Sequence, residues 1–351
     1  MKTVFLAMSG GLDSSFSAYL LKQQGYRVIG VTFALLPKTV TNVRNPKACC
    51  SIETTNRARK VADDLSIPHY VINLRQEFEE SVMGKFITEY RSGRTPNPCI
   101  LCNQHIKFSG FMRMALALGA DAVATGHYAA IEQSNAGWLL KKGKDRAKDQ
   151  SYFLYPIERH RLASLLFPLS GWTKKEVRLS MTGSAIDPTK TRESQDICFI
   201  PESDYRGFMS SYVSLKKGSI FFTDGRRLGF HEGIHLYTVG QRRGLNIPFT
   251  EPLYVVEIRA EDNSLIVGTK EHLRRSSLEA DQVNMLTDIP SGRAHAKVRY
   301  RQNEEPCTYR LSKGRLEVTF DNAVSAITPG QSVVLYEGDT VLGGGTIIQA
   351  H

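Results

Sequence analysis

Two kinds of reactive residue stand out in this 351-residue chain: a glycine–serine turn near its start and six cysteines. The turn, Ser9-Gly10-Gly11-Leu12-Asp13-Ser14-Ser15, follows a short apolar run, TVFLAM at 3–8. Two glycines let backbone approach an anion in torsions closed to other residues. The N–H groups of a helix start, with the hydroxyls of Ser9, Ser14 and Ser15, can then hold phosphate oxygens. No lysine follows the glycines, so the string is not a Walker A loop. The plain alternative is a glycine turn ahead of a Ser/Asp-capped helix.

The cysteines stand at 49, 50, 99, 102, 198 and 307. The apolar N-terminal run is too short for a signal peptide and reads as a first strand. No run of 18 apolar residues suggests a membrane span, and a cytoplasmic protein is expected. A cytosol keeps thiols reduced, so metal binding or thiol chemistry is the better expectation. Cys99 and Cys102 form a CxxC that could be half of a zinc site. Cys49 and Cys50 could complete four thiolates. Alternatively, Cys99, Cys102 and Cys198 could hold an iron–sulfur cluster with one open iron. Cys307 lies in a β-like run and reads as a packing residue.

These residues need elements to position them. Over the first 130 residues strands and helices alternate. Strands are expected at 3–8, 27–33, 68–74 and 122–126, with helices at 13–24, from Ser51 through Leu65, near 77–91 and near 105–118. Ala58, Val61, Ala62 and Leu65 recur at helical spacing, and Gly25 and Gly93 read as helix stops. Alternation of this kind implies a doubly wound parallel α/β sheet, with ligands outside the carboxyl ends of the strands. After about residue 203 short β-like runs and Gly-containing turns take over. The expected division is 1–203 for the α/β part, 204–272 for a small mixed domain and 273–351 for an antiparallel β-barrel.

Formal charge is +10, but it is uneven: +13 over residues 1–250 and −3 over 251–351. A basic body attracts polyanions, which makes nucleic acid plausible without establishing it. The run KKGKDRAK at 141–148 holds five basic residues in eight. As a class such runs are solvated loops. Arg242 and Arg243 in GQRRGL are suited to a phosphate or to stabilising a turn.

SGGLDSS resembles the PP-loop of the ATP pyrophosphatase superfamily, whose members cleave ATP between its α and β phosphates and adenylate an oxygen. Two cysteine frames, GRTPNPCILCNQHIKF (93–108) and ESQDICFIP (193–201), narrow the branch. With ATGHYA (124–129), KDQSYFL (148–154) and YTVGQRRGL (237–245), they resemble the bacterial tRNA-specific 2-thiouridylases. That resemblance implies a PP-loop fold followed by a small domain and a barrel. It also implies ATP-dependent adenylation of the C2 oxygen of a wobble uridine, and its replacement by sulfur from a cysteine persulfide. By the same resemblance Cys198 carries the persulfide and Cys102 is its partner. A low thiol pKa would suit that task, and Lys107 and Arg94 flank the loop. The resemblance places ATP, with Mg²⁺, against Ala7, Met8, Ser9, Gly10, Gly11, Leu12, Asp13, Ser14, Phe33 and Gly126. Asp13 could hold Mg²⁺ through water or cap the helix. It places tRNA against Asn97, Pro98, Cys99, His127, Lys148, Asp149, Gln150, Arg299, Tyr300 and Gln331. The implied partners are tRNAs reading Lys, Glu and Gln codons, and a sulfur-relay protein or cysteine desulfurase. Some family members have Asp where Cys99 stands, which keeps an iron–sulfur cluster as the alternative. A ligase of the GMP synthetase type is the other alternative.

Overall fold

The computed structural model describes residues 1–37, 52–135, 137–183, 197–200 and 204–351. Cys49, Cys50, the expected helix cap Ser51 and residues 193–196 of the second cysteine frame lie outside the described residues. The chain divides into two compact units. The first takes in residues 1–82, 99–204 and 339–341; the second takes in 83–98, 205–338 and 342–351. Among the described residues no helix is long and apolar enough to cross a membrane.

The first unit is built on β1 (Thr3–Ala7), β2 (Arg27–Ala34), β3 (His69–Asn73) and β4 (Ala122–Ala124), then a hairpin of β5 (Ala129–Ser134) and β6 (Gly137–Lys142), and a short β7 (Leu165–Leu166). The parallel sheet runs β3-β2-β1-β4-β7. Val4, Phe5 and Leu6 are consecutive and all buried. Continuous apolar residues are what a central parallel strand covered on both faces requires. Helix α1 (Leu12–Gln23) follows β1, and helix α2 (Ile52–Asp64) precedes β3. Ala18 and Leu21 of α1 and Ala58, Val61 and Ala62 of α2 share one core with Val4, Leu6 and Val28. Leu12 and Phe16 bury the other side of α1 against Tyr128, Leu169, Val177 and Met181. Phe16 is 1% exposed, and burial of such a ring contributes about 1.5–3 kcal/mol.

The strand order creates a crevice. From β1 the chain builds outward through β2 and β3, then returns to β4 on the other flank of β1. The loops leaving β1 and β4 therefore diverge, and ligands of doubly wound sheets bind at that reversal.

Two sequence expectations need correction. The helix expected near 105–118 starts at Pro98, whose missing N–H costs nothing at a first helical position. It runs as Pro98–Leu101, a wider Cys102–Phe111 stretch with i→i+5 bonding, and Met112–Ala117. The basic run is not one loop, because Lys141 and Lys142 close strand β6.

In the second unit, β8 (Gly218–Phe222), β9 (Arg227–His231), β10 (Tyr254–Arg259) and β11 (Ser264–Gly268) form a mixed sheet in the order β10-β11-β8-β9. Ile220, Val255, Leu265 and Val267 fill its core. Six further strands follow: β12 (Arg274–Met285), β13 (Ser291–Lys297), β14 (Glu305–Ser312), β15 (Arg315–Ser325), β16 (Ser332–Glu337) and β17 (Thr340–Ala350). Their order, β12-β15-β14-β13-β16-β17, closes through β12–β17 pairing. Closure pairs the first and last of these six strands with each other. Cys307 is fully buried in this barrel, its thiol donates to Ala294 O at 3.5 Å, and burial pushes its pKa up to about 12. Such a thiol is an inert packing group.

Candidate active site

The glycine–serine turn sits at the crevice between β1 and β4. β2 holds its entry: Met8 N donates to Val31 O and Met8 O accepts from Thr32 Oγ1, both at 2.8 Å. Gly10 has φ +68°, and a Cβ there would lie 2.1 Å from Thr54 O. Only glycine fits. Gly11 is the N-cap of α1 and brings no side-chain cap. The first-turn N–H groups of Leu12, Asp13 and Ser14 have no intrahelical acceptor, as at any helix start. Ser14 Oγ donates to Gly11 O at 3.0 Å and accepts from Ser9 N at 3.2 Å. Ser15 Oγ is buried with no partner among the described residues. Opposite the turn, Gly126 follows β4, and a Cβ there would lie 2.9 Å from Ser14 N. Uncapped donors at the positive end of a helix suit an anion.

Asp13 is held by residues far away in sequence. Lys174 Nζ donates to both of its carboxylate oxygens at 2.7 Å, and Tyr128 OH donates to Oδ1 at 2.7 Å. Lys174 opens helix Lys174–Met181, which Thr173 and Glu176 close with a capping box. A lysine in a first helical turn opposes the helix dipole. Two charge-assisted bonds to Asp13 offset that cost. Lys144 donates to the Glu176 carboxylate, which keeps that group well down at about 2. Neither Lys174 nor Tyr128 was singled out by the sequence reading. The available signal was the capping box TKKE, with a lysine where a helix prefers an acid.

Phe33 ends up inside the core, 7% exposed, with its ring edge-on to Phe111 at 4.9 Å. His127 is also buried. Its Nδ1 lies 2.7 Å from Thr125 Oγ1, and its ring packs between Phe108 and Phe167. Desolvation, and then the charge of Lys107, hold its pKa well below the ordinary imidazole value. His127 therefore stands neutral at pH 7 and offers no cation to a phosphate.

Cys102 begins the wide-helix stretch and is half-buried; Cys99, one turn earlier, is exposed. Such i→i+5 stretches are rare and gather at functional sites. Cys198 belongs to the same unit and is also half-buried. Its neighbour Phe199 is anchored edge-on against Phe78, with ring centroids 5.8 Å apart. Among the described residues no three His, Cys, Asp or Glu side chains gather closely enough to hold a metal ion.

Several residues expected to meet RNA fix their own loops. Asp149 is buried and accepts from Gly143 N at 3.0 Å, Ser151 N at 3.3 Å and Ser151 Oγ at 2.7 Å. Gln150 bonds both backbone atoms of Tyr128, at 2.9 and 2.8 Å. It thereby ties the 148–150 segment to the residue that grips Asp13. In the second unit Arg299 donates to Val239 O at 2.8 Å and to Thr328 Oγ1. Tyr300 is half-buried beneath the Lys297 ammonium, 5.6 Å from its ring centre. Gln331 Nε2 donates to Thr95 O at 2.8 Å. Asn97 is half-buried and Pro98 buried. In the basic run, Lys141 pairs with Glu132, Lys144 with Glu176 and Arg146 with Asp339.

A parallel sheet with an uncapped helix start at its reversal point defines an α/β nucleotide-binding protein, here with two half-buried thiols in the same unit. Comparison with known proteins agrees and goes further. Family models match three successive stretches. They are a tRNA methyl transferase HUP domain over 2–202, a tRNA methyl transferase PRC-barrel domain over 206–269 and an aminomethyltransferase beta-barrel domain over 275–347. The tRNA-specific 2-thiouridylase MnmA of Syntrophotalea carbinolica is 46% identical, over 99% of this chain and 98% of its own. That of Moorella thermoacetica is 45% identical, over 97% and 98%. That of Geotalea uraniireducens is 44% identical, over 99% and 96%. The chain belongs to the tRNA-specific 2-thiouridylase family.

Proposed function

We propose that this chain uses ATP to replace the C2 oxygen of a tRNA uridine with sulfur. The observation that carries the reading is the glycine–serine loop: uncapped N–H donors at the sheet's reversal point, in a chain whose full length matches 2-thiouridylases. The uridine C2 oxygen attacks the α-phosphorus and pyrophosphate leaves. The terminal sulfur of a persulfide on Cys198 then attacks C2. The Cys102 thiolate attacks Cys198 Sγ and breaks the S–S bond, and AMP leaves with the original oxygen. The products are 2-thiouridine, AMP, pyrophosphate and a Cys102–Cys198 disulfide, which a cellular thiol reductant must open before the next turnover.

The chain's own residues divide this work. The α1 donors hold the pyrophosphate as charge builds on it. Lys174, already poised on Asp13, neutralises charge at the same loop. Asp13, already bonded to Lys174 and Tyr128, would hold a nucleotide-borne Mg²⁺ only through water, and the ion would neutralise the leaving pyrophosphate. Asn97, Pro98 and Cys99 receive the extruded base. The expected tRNAs are those reading Lys, Glu and Gln codons, and a sulfur-relay protein or cysteine desulfurase loads Cys198.

The family-model descriptions speak of methyl transfer, whereas the full-length relatives are 2-thiouridylases. Methyl transfer does not need ATP cleaved between its α and β phosphates, which is the chemistry the glycine–serine loop suits. Nucleoside mass analysis of tRNA from a deletion strain decides between them. Loss of a 2-thiolated wobble nucleoside supports the proposal; loss of a methylated one with thiolation intact rejects it. An iron–sulfur route would need three converging thiolates. Anaerobic purification with iron and sulfide analysis tests it directly.

A further inference from the structure

We infer that the 329–331 turn of the barrel is a positioning device for the base-receiving segment at 97–98, and that Gly330 and Gln331 act on the reaction through it. This inference rests on the function proposed above. All the contacts lie within the second unit. Thr95 N donates to Pro329 O at 2.8 Å, and Thr95 O accepts from Gln331 Nε2 at 2.8 Å. Both polar atoms of the Thr95 backbone are therefore held by one turn. Gly330 lies between them with φ +89°. A Cβ there would be 2.7 Å from Thr95 N, 2.9 Å from Thr95 C and 3.0 Å from Thr95 O.

The turn is itself anchored in the barrel wall. Gly330 N donates to Ile347 O, and Ile347 N donates to Gln331 O, both at 2.8 Å. Ile258 of β10 and the loop residue Thr238 meet the same segment from another side. A Cβ on Gly93 would lie 2.7 Å from Ile258 Cγ2, and Thr95 Oγ1 donates to Thr238 Oγ1 at 3.4 Å. Thr95 is 9% exposed and Pro96 is buried. Asn97 comes two residues after Thr95, and Pro98 opens the helix that leads into Cys102.

The family resemblance put Gln331 directly against tRNA. The geometry also gives one of its side-chain N–H groups to Thr95 O. Gln331 and Gly330 are then positioning residues. They set where the base-receiving segment stands, and reaction rates depend on such placement at the ångström level.

A matched pair of glycine substitutions tests this. Gly314 also has positive φ, +77°, but open space around it. Gly314→Ala adds backbone strain alone, whereas Gly330→Ala adds strain and a collision with Thr95. Thiolation is measured in single turnovers at saturating ATP and tRNA with persulfide-loaded full-length protein, alongside the tRNA Kd. Gly330→Ala should slow thiolation about 100-fold, and Gly314→Ala should change it by less than about threefold. Gln331→Met keeps the bulk and removes the donor. It should slow thiolation about tenfold with the tRNA Kd changed by less than about threefold. If Gly330→Ala does not fold, Gln331→Met still decides. Weaker tRNA binding by Gln331→Met at an unchanged saturated rate overturns the inference and makes Gln331 an RNA contact. Equal effects of the two glycine substitutions overturn it as well. Wild-type protein that leaves tRNA unthiolated rejects the proposed function itself, before any variant is compared.

Discussion

Lys174 Nζ stands 2.7 Å from each carboxylate oxygen of Asp13, joining the phosphate loop to a helix 161 residues further along the chain. In the proposed reaction this ammonium neutralises charge on the nucleotide's phosphates. Lys174→Met should reduce tRNA-dependent pyrophosphate release about 100-fold. Tyr128→Phe, which removes one neutral donor, should cost less than about tenfold. A Lys174→Met enzyme releasing pyrophosphate at the wild-type rate would remove Lys174 from the mechanism.

The two thiols should separate by order of action. Cys198→Ser should lose both sulfur loading and thiolation. Cys102→Ser should still load sulfur on Cys198 yet fail to transfer it. Both variants should keep tRNA-dependent pyrophosphate release, because the loop that receives ATP contains no thiol. Mass analysis of loaded protein and of tRNA nucleosides, run beside a pyrophosphate assay, checks all three statements. Cys99→Ser should act mildly; joint loss of thiolation and bound iron in that variant would favour a cluster.

The basic run should matter less to tRNA affinity than its charge count suggests. Lys141, Lys144 and Arg146 each pair with a carboxylate. Each cation that met a phosphate would contribute about 0.9 to the slope of log K against log salt. Replacing all three by Ala should therefore change that slope by less than about 1. A change near three such contributions would show that these pairs open to take up RNA.

Stability should fall as pH drops through the histidine range. His69, His127, His231 and His235 all have pKa values lowered in the folded protein, each mainly by burial. Below pH about 6.5 the unfolded chain binds protons that the folded chain resists, so unfolding becomes easier. Above that pH these groups are neutral in both states and the effect vanishes. Carboxylates titrate lower, which leaves the window from about pH 6.5 to 5 to these histidines. Urea midpoints across that window should decline with falling pH. His127→Asn should shallow the decline, and an unchanged pH dependence would mean that His127 takes up its proton without unfolding.

Sequence alone marked out the glycine–serine loop, because that loop is local: Ser9 to Ser15 supply the glycine torsions, the hydroxyls and the helix start. It also determined the parallel sheet and the later change to β structure, since strand and helix periodicities are read within short windows. The β5–β6 hairpin escaped notice because AAIEQS has little strand patterning. Tertiary structure alone decided what Asp13 and Thr95 touch. Lys174 reaches Asp13 across 161 residues, and Gln331 reaches Thr95 across 236. A lysine at a helix start or a glutamine in a turn carries no local mark of its partner. Folding chooses that partner by bringing two surfaces together, and the hydrogen bond forms only where backbone and side chain then meet.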